Sequence, residues 1–102
     1  MPVVLRLIQR FQSSKKQEFI VLEKQFAALE HKAILPRGER MIPICSKEPL
    51  NTLIWEGKFG TLAEAEQALK LFETSPEHTE LFNKQVNYFQ DTWAEIYEVL
   101  EC

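Results

Sequence analysis

The chain has 102 residues, of which 45% are hydrophobic and 26% are charged. Both fractions are those of ordinary globular proteins, so they exclude a disordered or fibrous chain and predict one domain over residues 1–102. The formal net charge is −3 and no basic run is longer than Lys15-Lys16, so we expect no nucleic-acid partner.

The first element has the period of a strand. In residues 3–11 two rows of side chains alternate, and Arg6 and Arg10 interrupt the apolar run. No cleavage site of small residues follows, and no stretch of about 18 apolar residues is present. We therefore expect a cytoplasmic protein without a membrane span.

A helical pattern follows this strand. Ser14 and Gln17 have the spacing of a capping box, and apolar residues then recur at gaps of three and four. These residues are Phe19, Leu22, Phe26, Leu29 and Ala33. The pattern predicts an amphipathic helix that ends near His31.

Two further strands are expected after the turn LPRGER. The run MIPICS, residues 41–46, contains Pro43, which cannot donate to a strand ladder, so we place this strand at a sheet edge or on a bulge. Residues 51–59 alternate again and form the next strand. The two cysteines, Cys45 and Cys102, lack the spacing of a metal or redox site, so we expect a buried thiol at Cys45 and no metal.

The second helical segment is doubled. Thr61 and Glu64 have the spacing of a capping box, and Ser75 followed by Pro76 predicts a new helix start. The apolar stripe of this third helix consists of Phe82, Val86, Phe89 and Trp93. The closing EIYEVLE predicts a last strand. Its pattern does not decide whether Ile96 and Leu100 or Tyr97 and Val99 face the interior.

The element order β-α-β-β-α-β, with the second helix doubled, is that of an α+β ferredoxin-like fold with helices on one face of a four-stranded antiparallel sheet. The other face carries apolar residues rimmed by charges, which is typical of an interaction surface. Its members are Val4, Arg6, Ile8, Ile54 and Glu56. We therefore predict a homodimer formed by packing two sheets face to face, and an Arg6–Glu56 pair between neighbouring strands.

The segments NTLIWEGKF, LAEAEQAL, SPEHTELF and EIYEVL resemble NIPSNAP-like proteins of the dimeric α/β-barrel superfamily over nearly the whole chain. The resemblance implies a ferredoxin-like protomer whose sheet joins that of a partner. The superfamily also contains antibiotic-biosynthesis-type monooxygenases and haem-degrading enzymes, the latter with an Asn on the first strand. Here the polar residue on that strand is Gln9, so haem is disfavoured and we expect no cofactor.

The extra helix predicts a cavity against the sheet for a small apolar or aromatic ligand, or else only a thicker core. Gln9 is the isolated amide in an apolar row, so it is either a buried amide with backbone partners or a cavity group that contacts a ligand. His78 begins the third helix as an exposed residue. The candidate ligand-binding residues are Gln9, Trp55, Phe59, His78, Phe82, Tyr88 and Phe89. Three functions remain open: a ligand-binding module, a monooxygenase in which Gln9 polarises the substrate and Trp55 stacks on it, and a structural or protein-interaction module.

Overall fold

Four strands and three α-helices form the fold in the computed structural model, which describes residues 1–102. The strands are β1 (Val3–Phe11), β2 (Glu39–Met41), β3 (Thr52–Phe59) and β4 (Phe89–Glu98), and the helices are α1 (Lys16–His31), α2 (Leu62–Thr74) and α3 (Pro76–Gln85). The strands are antiparallel and lie in the order β2-β3-β1-β4. The predicted α+β ferredoxin-like fold with a doubled second helix is therefore confirmed.

The ladder between β1 and β3 sets which side chains are neighbours. Arg6 lies opposite Glu56, and the Arg6 Nε donates to Glu56 Oε1 at 2.8 Å. The predicted Arg6–Glu56 pair is confirmed. Ile8 and Ile54 form the next pair on this face, because alternate residues of a strand point to the same side.

The starts of α2 and α3 follow the capping signals. The Glu64 N–H donates to Thr61 Oγ1 at 3.2 Å, and the His78 N–H donates to Ser75 Oγ at 3.3 Å. Pro76 occupies the first helical position, where a missing N–H leaves no bond unmade. The doubling of the second helix thus results from two local caps.

The start of α1 differs from the prediction. A 3₁₀ turn at Ser13–Lys15 precedes the helix, and no side chain caps the first turn of α1. The prediction of a capping box formed by Ser14 and Gln17 is therefore wrong. The Lys15 N–H instead donates to the backbone oxygen of Gln12 at 2.9 Å. Backbone bonding therefore replaces the side-chain cap.

The boundary between α3 and β4 was also predicted wrongly. The helix ends at Gln85, a 3₁₀ turn spans Val86–Tyr88, and β4 begins at Phe89, so Phe89 and Trp93 are strand residues. The spacing of these apolar residues resembles a helical stripe, but pairing with β1 along its whole length holds the segment extended.

The same ladder decides the orientation of β4. Ile96 lies opposite Leu5 on the helix side of the sheet, whereas Tyr97 lies opposite Val4 on the other side. Leu100 and its neighbour Val99 lie beyond the end of the strand and are exposed.

The strand β2 occupies the sheet edge as expected, but it spans Glu39–Met41, so the predicted strand over residues 41–46 is wrong apart from Met41. Cys45 lies in the following loop and is exposed, so the prediction of a buried thiol is wrong. None of the helices has the length and apolar composition that a membrane span requires.

The sheet face without helices is less open than its sequence pattern indicates. Ile8 is only 3% exposed within a single chain. The guanidinium of Arg6 lies 5.0 Å from the ring centre of Tyr97, and that of Arg10 lies 5.4 Å from the ring centre of Trp93. Ile8 is paired with Trp93 across the ladder, so large neighbours on this face account for its burial.

Candidate functional site

A cavity of about 520 Å³ lies between the sheet and the three helices. One row of side chains across the sheet contributes to its lining, because Arg40 pairs with Trp55, Trp55 with Leu7, and Leu7 with Ala94. All four of these residues line the cavity. The row contains one cation and otherwise apolar groups.

The structure brings most of the predicted ligand-binding residues together. Those that line the cavity are Gln9, Trp55, His78, Phe82 and Phe89. Phe59 instead packs against the core cluster of Leu5, Trp55 and Ala68, and Tyr88 packs against the cluster of Phe11, Phe19 and Leu53. These two aromatics therefore contribute to the core and not to the cavity wall.

Gln9 is a buried amide that faces the cavity. The residue is 8% exposed and lines the cavity, and its side chain makes no hydrogen bond within the protein. Across the ladders it lies opposite Leu53 on β3 and Thr92 on β4. Buried amides usually have protein partners, so Gln9 has unused donor and acceptor capacity directed at the cavity.

Trp55 belongs both to the core and to the cavity wall. It is 2% exposed, and its ring meets Phe72 edge to face with ring centres 5.3 Å apart. Gly38 and Gly57 enclose the indole: an added Cβ at Gly38 would lie 2.1 Å from Trp55 Cε2, and one at Gly57 would lie 2.6 Å from Cη2. Neither glycine has a positive φ, so space for the indole, not backbone conformation, requires them.

An ion cluster that the sequence analysis missed lies in the cavity wall. The Arg40 Nε donates to Glu23 Oε2 at 2.6 Å, while its two Nη atoms donate to the Glu30 oxygens at 3.2 and 2.6 Å. Gln85 Nε2 donates to Glu23 Oε1 at 2.7 Å, and the Gly38 N–H donates to Glu30 Oε1 at 3.1 Å. The cluster thus joins α1, α3 and β2.

Burial and ion pairing shift the pKa of the Arg40 guanidinium in opposite directions. Burial lowers the pKa of Arg40, but hydrogen bonds and the charges of Glu30 and Glu23 outweigh it and hold the pKa above its usual value. Both carboxylates are nearly fully buried, at 4% for Glu23 and 6% for Glu30. Such ions persist in a protein interior only when they are paired, as they are here.

His78 lies among aromatic rings, so the expectation of an exposed residue is wrong. Its ring centre lies 5.0 Å from that of Phe26, 5.4 Å from that of Phe72 and 5.9 Å from that of Phe82. Burial lowers the pKa of His78 below its ordinary value, so the imidazole is neutral near pH 7. No group of three or more His, Cys, Asp or Glu side chains is arranged to hold a metal ion.

No protein-family profile matches the sequence, and no curated protein matches it. Solved structures do match. A NIPSNAP family protein from Agrobacterium tumefaciens is 14% identical with a TM-score of 0.80, over 99% of this chain and 95% of the other. An uncharacterized NIPSNAP domain protein from Burkholderia xenovorans is 15% identical with a TM-score of 0.75, over 98% and 95%. The protein has a NIPSNAP-like ferredoxin-like fold.

A further similar structure is that of an antibiotic biosynthesis monooxygenase-like protein from Nitrosomonas europaea. It is 12% identical with a TM-score of 0.70, over 97% of this chain and 90% of the other. At these identities the similarities establish the NIPSNAP-like fold alone.

The packing of Gly38 on Trp55 gives the first prediction. In Gly38→Ala the new methyl group would overlap the indole, so we expect the free energy of unfolding to fall by about 1–3 kcal/mol in urea titrations. Gly60→Ala is the matched control, because an added Cβ there comes no closer than 3.7 Å to the Glu64 carboxylate. Equal losses in the two variants would contradict the account of Trp55.

The half-buried imidazole of His78 gives the second prediction. Because its pKa is lower in the folded chain, the unfolded chain takes up the proton more readily once the pH falls through the ordinary value of 6.5. His78 therefore costs stability below that pH and none above it. We expect His78→Phe to reduce the fall in melting temperature between about pH 7.5 and about pH 5.5. His31→Gln removes the other histidine, at an exposed position, and is the matched control; an unaltered fall in His78→Phe would contradict the account of His78.

Proposed function

We propose that the protein is a homodimeric module that binds a small apolar or aromatic molecule in the cavity between its sheet and its helices. The volume of the cavity lies within the range of about 300–1,000 Å³ that is usual for small-molecule sites. Ten of its 19 lining residues are hydrophobic, four of them phenylalanines, and the other nine are polar or charged groups that could orient a ligand. The phenylalanines are Phe26, Phe72, Phe82 and Phe89.

The single observation that carries the proposal is the amide of Gln9. The Gln9 amide makes no hydrogen bond within the protein and is open to the cavity, whereas the buried side-chain atoms without a partner lie elsewhere and include Trp55 Nε1 in the same wall. A carbonyl or hydroxyl on a bound molecule would supply the missing partner. The amide therefore supports a cavity used for binding, and not merely a defect in packing.

The sheet face without helices supports the dimer. Val4 and Ile54 remain partly exposed there, and Tyr97 is 46% exposed. Charged residues surround them, among them Arg6 with 41% of its side chain exposed. A mixed surface of this kind suits a two-fold contact, in which each apolar group meets the same patch of the second copy.

A second function is favoured by the structural similarity to the monooxygenase-like protein from Nitrosomonas europaea. In that case the same cavity would hold the substrate, with Gln9 polarising it and Trp55 forming the wall beside it. Oxygen uptake with dihydroxynaphthalene as substrate separates this function from simple binding. A rate that disappears in Gln9→Ala would favour the oxygenase, whereas binding without oxygen uptake would favour the module.

The third prediction tests binding with naphthylmethanol, a neutral aromatic alcohol. Ligand bound only to the folded state stabilises it by about 2.7 kcal/mol at one hundred times Kd, so the melting temperature should rise by several degrees. Binding itself is measured on the native chain by isothermal titration calorimetry, because Trp93 also lines the cavity and its replacement would alter the site.

The contribution of Gln9 is measured with one variant and one control. Gln9→Leu should bind the probe about 2–10-fold more weakly, while the free protein should melt no lower because the exchange breaks no hydrogen bond within the protein. Gln17→Leu makes the same exchange at an exposed position outside the cavity and should bind as the native chain does. Unchanged binding in Gln9→Leu would contradict the role of the amide.

The fourth prediction tests the dimer. Sedimentation equilibrium should give twice the chain mass of 12.0 kDa. Ile54→Asp places a charge on the sheet face and should shift the mass toward one chain. Val21→Asp makes a comparable change at a site on α1 that is 54% exposed, and it should leave the dimer intact. A native protein that sediments as one chain would overturn this part of the proposal.

A further inference from the structure

We infer that the cavity takes uncharged or cationic aromatic molecules and rejects carboxylates. This inference rests on the proposed binding function, which it extends to the chemical class of the ligand. The basis for this selectivity is the charge of the cavity wall, in which carboxylates outnumber the single guanidinium.

The cavity wall offers no free positive charge. Its only Lys or Arg side chain is that of Arg40, and all three guanidinium nitrogens donate to Glu23 or Glu30. With both carboxylates ionised, these three side chains carry a formal net charge of −1. His78 adds no charge near pH 7, and Glu73, an exposed residue of the wall, adds a second negative charge.

The position of these charges is held by the surrounding structure. Glu23 accepts from Arg40 and Gln85, and Glu30 accepts from Arg40 and the backbone of Gly38. Because Glu23 and Glu30 are nearly fully buried, water screens their charge poorly. A bound carboxylate would therefore lose its hydration next to a net negative cluster and would find no cation to replace it.

The apolar and charged parts of the wall are adjacent along α1. Phe26 follows Glu23 by three residues and precedes Glu30 by four, so all three side chains lie on one face of the helix. The ring of Phe26 also contacts that of His78. A ligand with an aromatic body and a hydroxyl or ammonium group can thus place its ring on the phenylalanines and its polar end beside the carboxylates.

The experiment compares three probes that share one ring system: naphthylmethanol, naphthylmethylamine and naphthoate. Their Kd values are measured on the native chain by isothermal titration calorimetry at pH 7.5. We expect the alcohol and the amine to bind and the carboxylate to bind at least about tenfold more weakly. Added salt should change the ratio little, because the cluster is buried.

Two variants test the source of the selectivity. Glu30→Gln removes one negative charge with little change of shape and should narrow the preference for alcohol over carboxylate by about tenfold. If that variant fails to fold, Glu73→Gln removes a charge at an exposed position and should narrow the preference by about twofold, more so at low salt. An unchanged preference in a folded Glu30→Gln protein would overturn the assignment to the cluster.

The outcomes separate this inference from the function on which it rests. Binding of all three probes with naphthoate as tight as the alcohol overturns the charge selectivity and leaves the binding function standing. Failure of every probe to bind overturns both. Selective binding of the alcohol and amine supports both.

Discussion

The ion cluster of Arg40, Glu23 and Glu30 is the interaction on which the rest of the site depends. The strand that carries Arg40, β2, has three residues and lies at the sheet edge, so its backbone ladder alone holds it weakly. The guanidinium joins this strand to two carboxylates of α1, and Gln85 adds α3 through Glu23. Buried ion pairs contribute little net stability, but they tolerate few geometries, so the cluster fixes the position of three elements around the cavity.

The packing of Trp55 follows from that position. Glu30 accepts from the Gly38 N–H as well as from Arg40, and Gly38 lies directly on the indole. The charged cluster therefore holds the segment that covers Trp55, and Trp55 in turn pairs with Arg40 across the ladder. Each of these groups thus contacts the next: Glu30 binds Gly38, Gly38 packs on Trp55, and Trp55 lies beside Arg40, which binds Glu30. The polar and apolar parts of the cavity wall therefore stabilise one another.

Local chemistry explains which features could be predicted from the sequence. The caps at Thr61 and Ser75 and the Arg6–Glu56 pair depend on short-range spacing or on one strand register. The sequence also carried a signal for the ion cluster, since Glu23 and Glu30 are seven residues apart on the apolar side of α1. Their partner could not be predicted, because Arg40 reaches them only after β2 pairs with β3. Likewise Phe59, at the end of β3, and Tyr88, in the 3₁₀ turn before β4, pack against core clusters that depend on contacts distant in sequence.

The ring contacts around His78 explain why the second helical segment is divided into α2 and α3. Each of the three helices contributes a phenylalanine to that imidazole: Phe26 from α1, Phe72 from α2 and Phe82 from α3. A single straight helix would run on past Thr74 in one direction, whereas the break at Ser75-Pro76 starts a second axis that packs against α1. A connection from β3 to β4 needs fewer residues than α2 and α3 together provide. The additional helix is better explained by the aromatic side chains that it packs over the sheet.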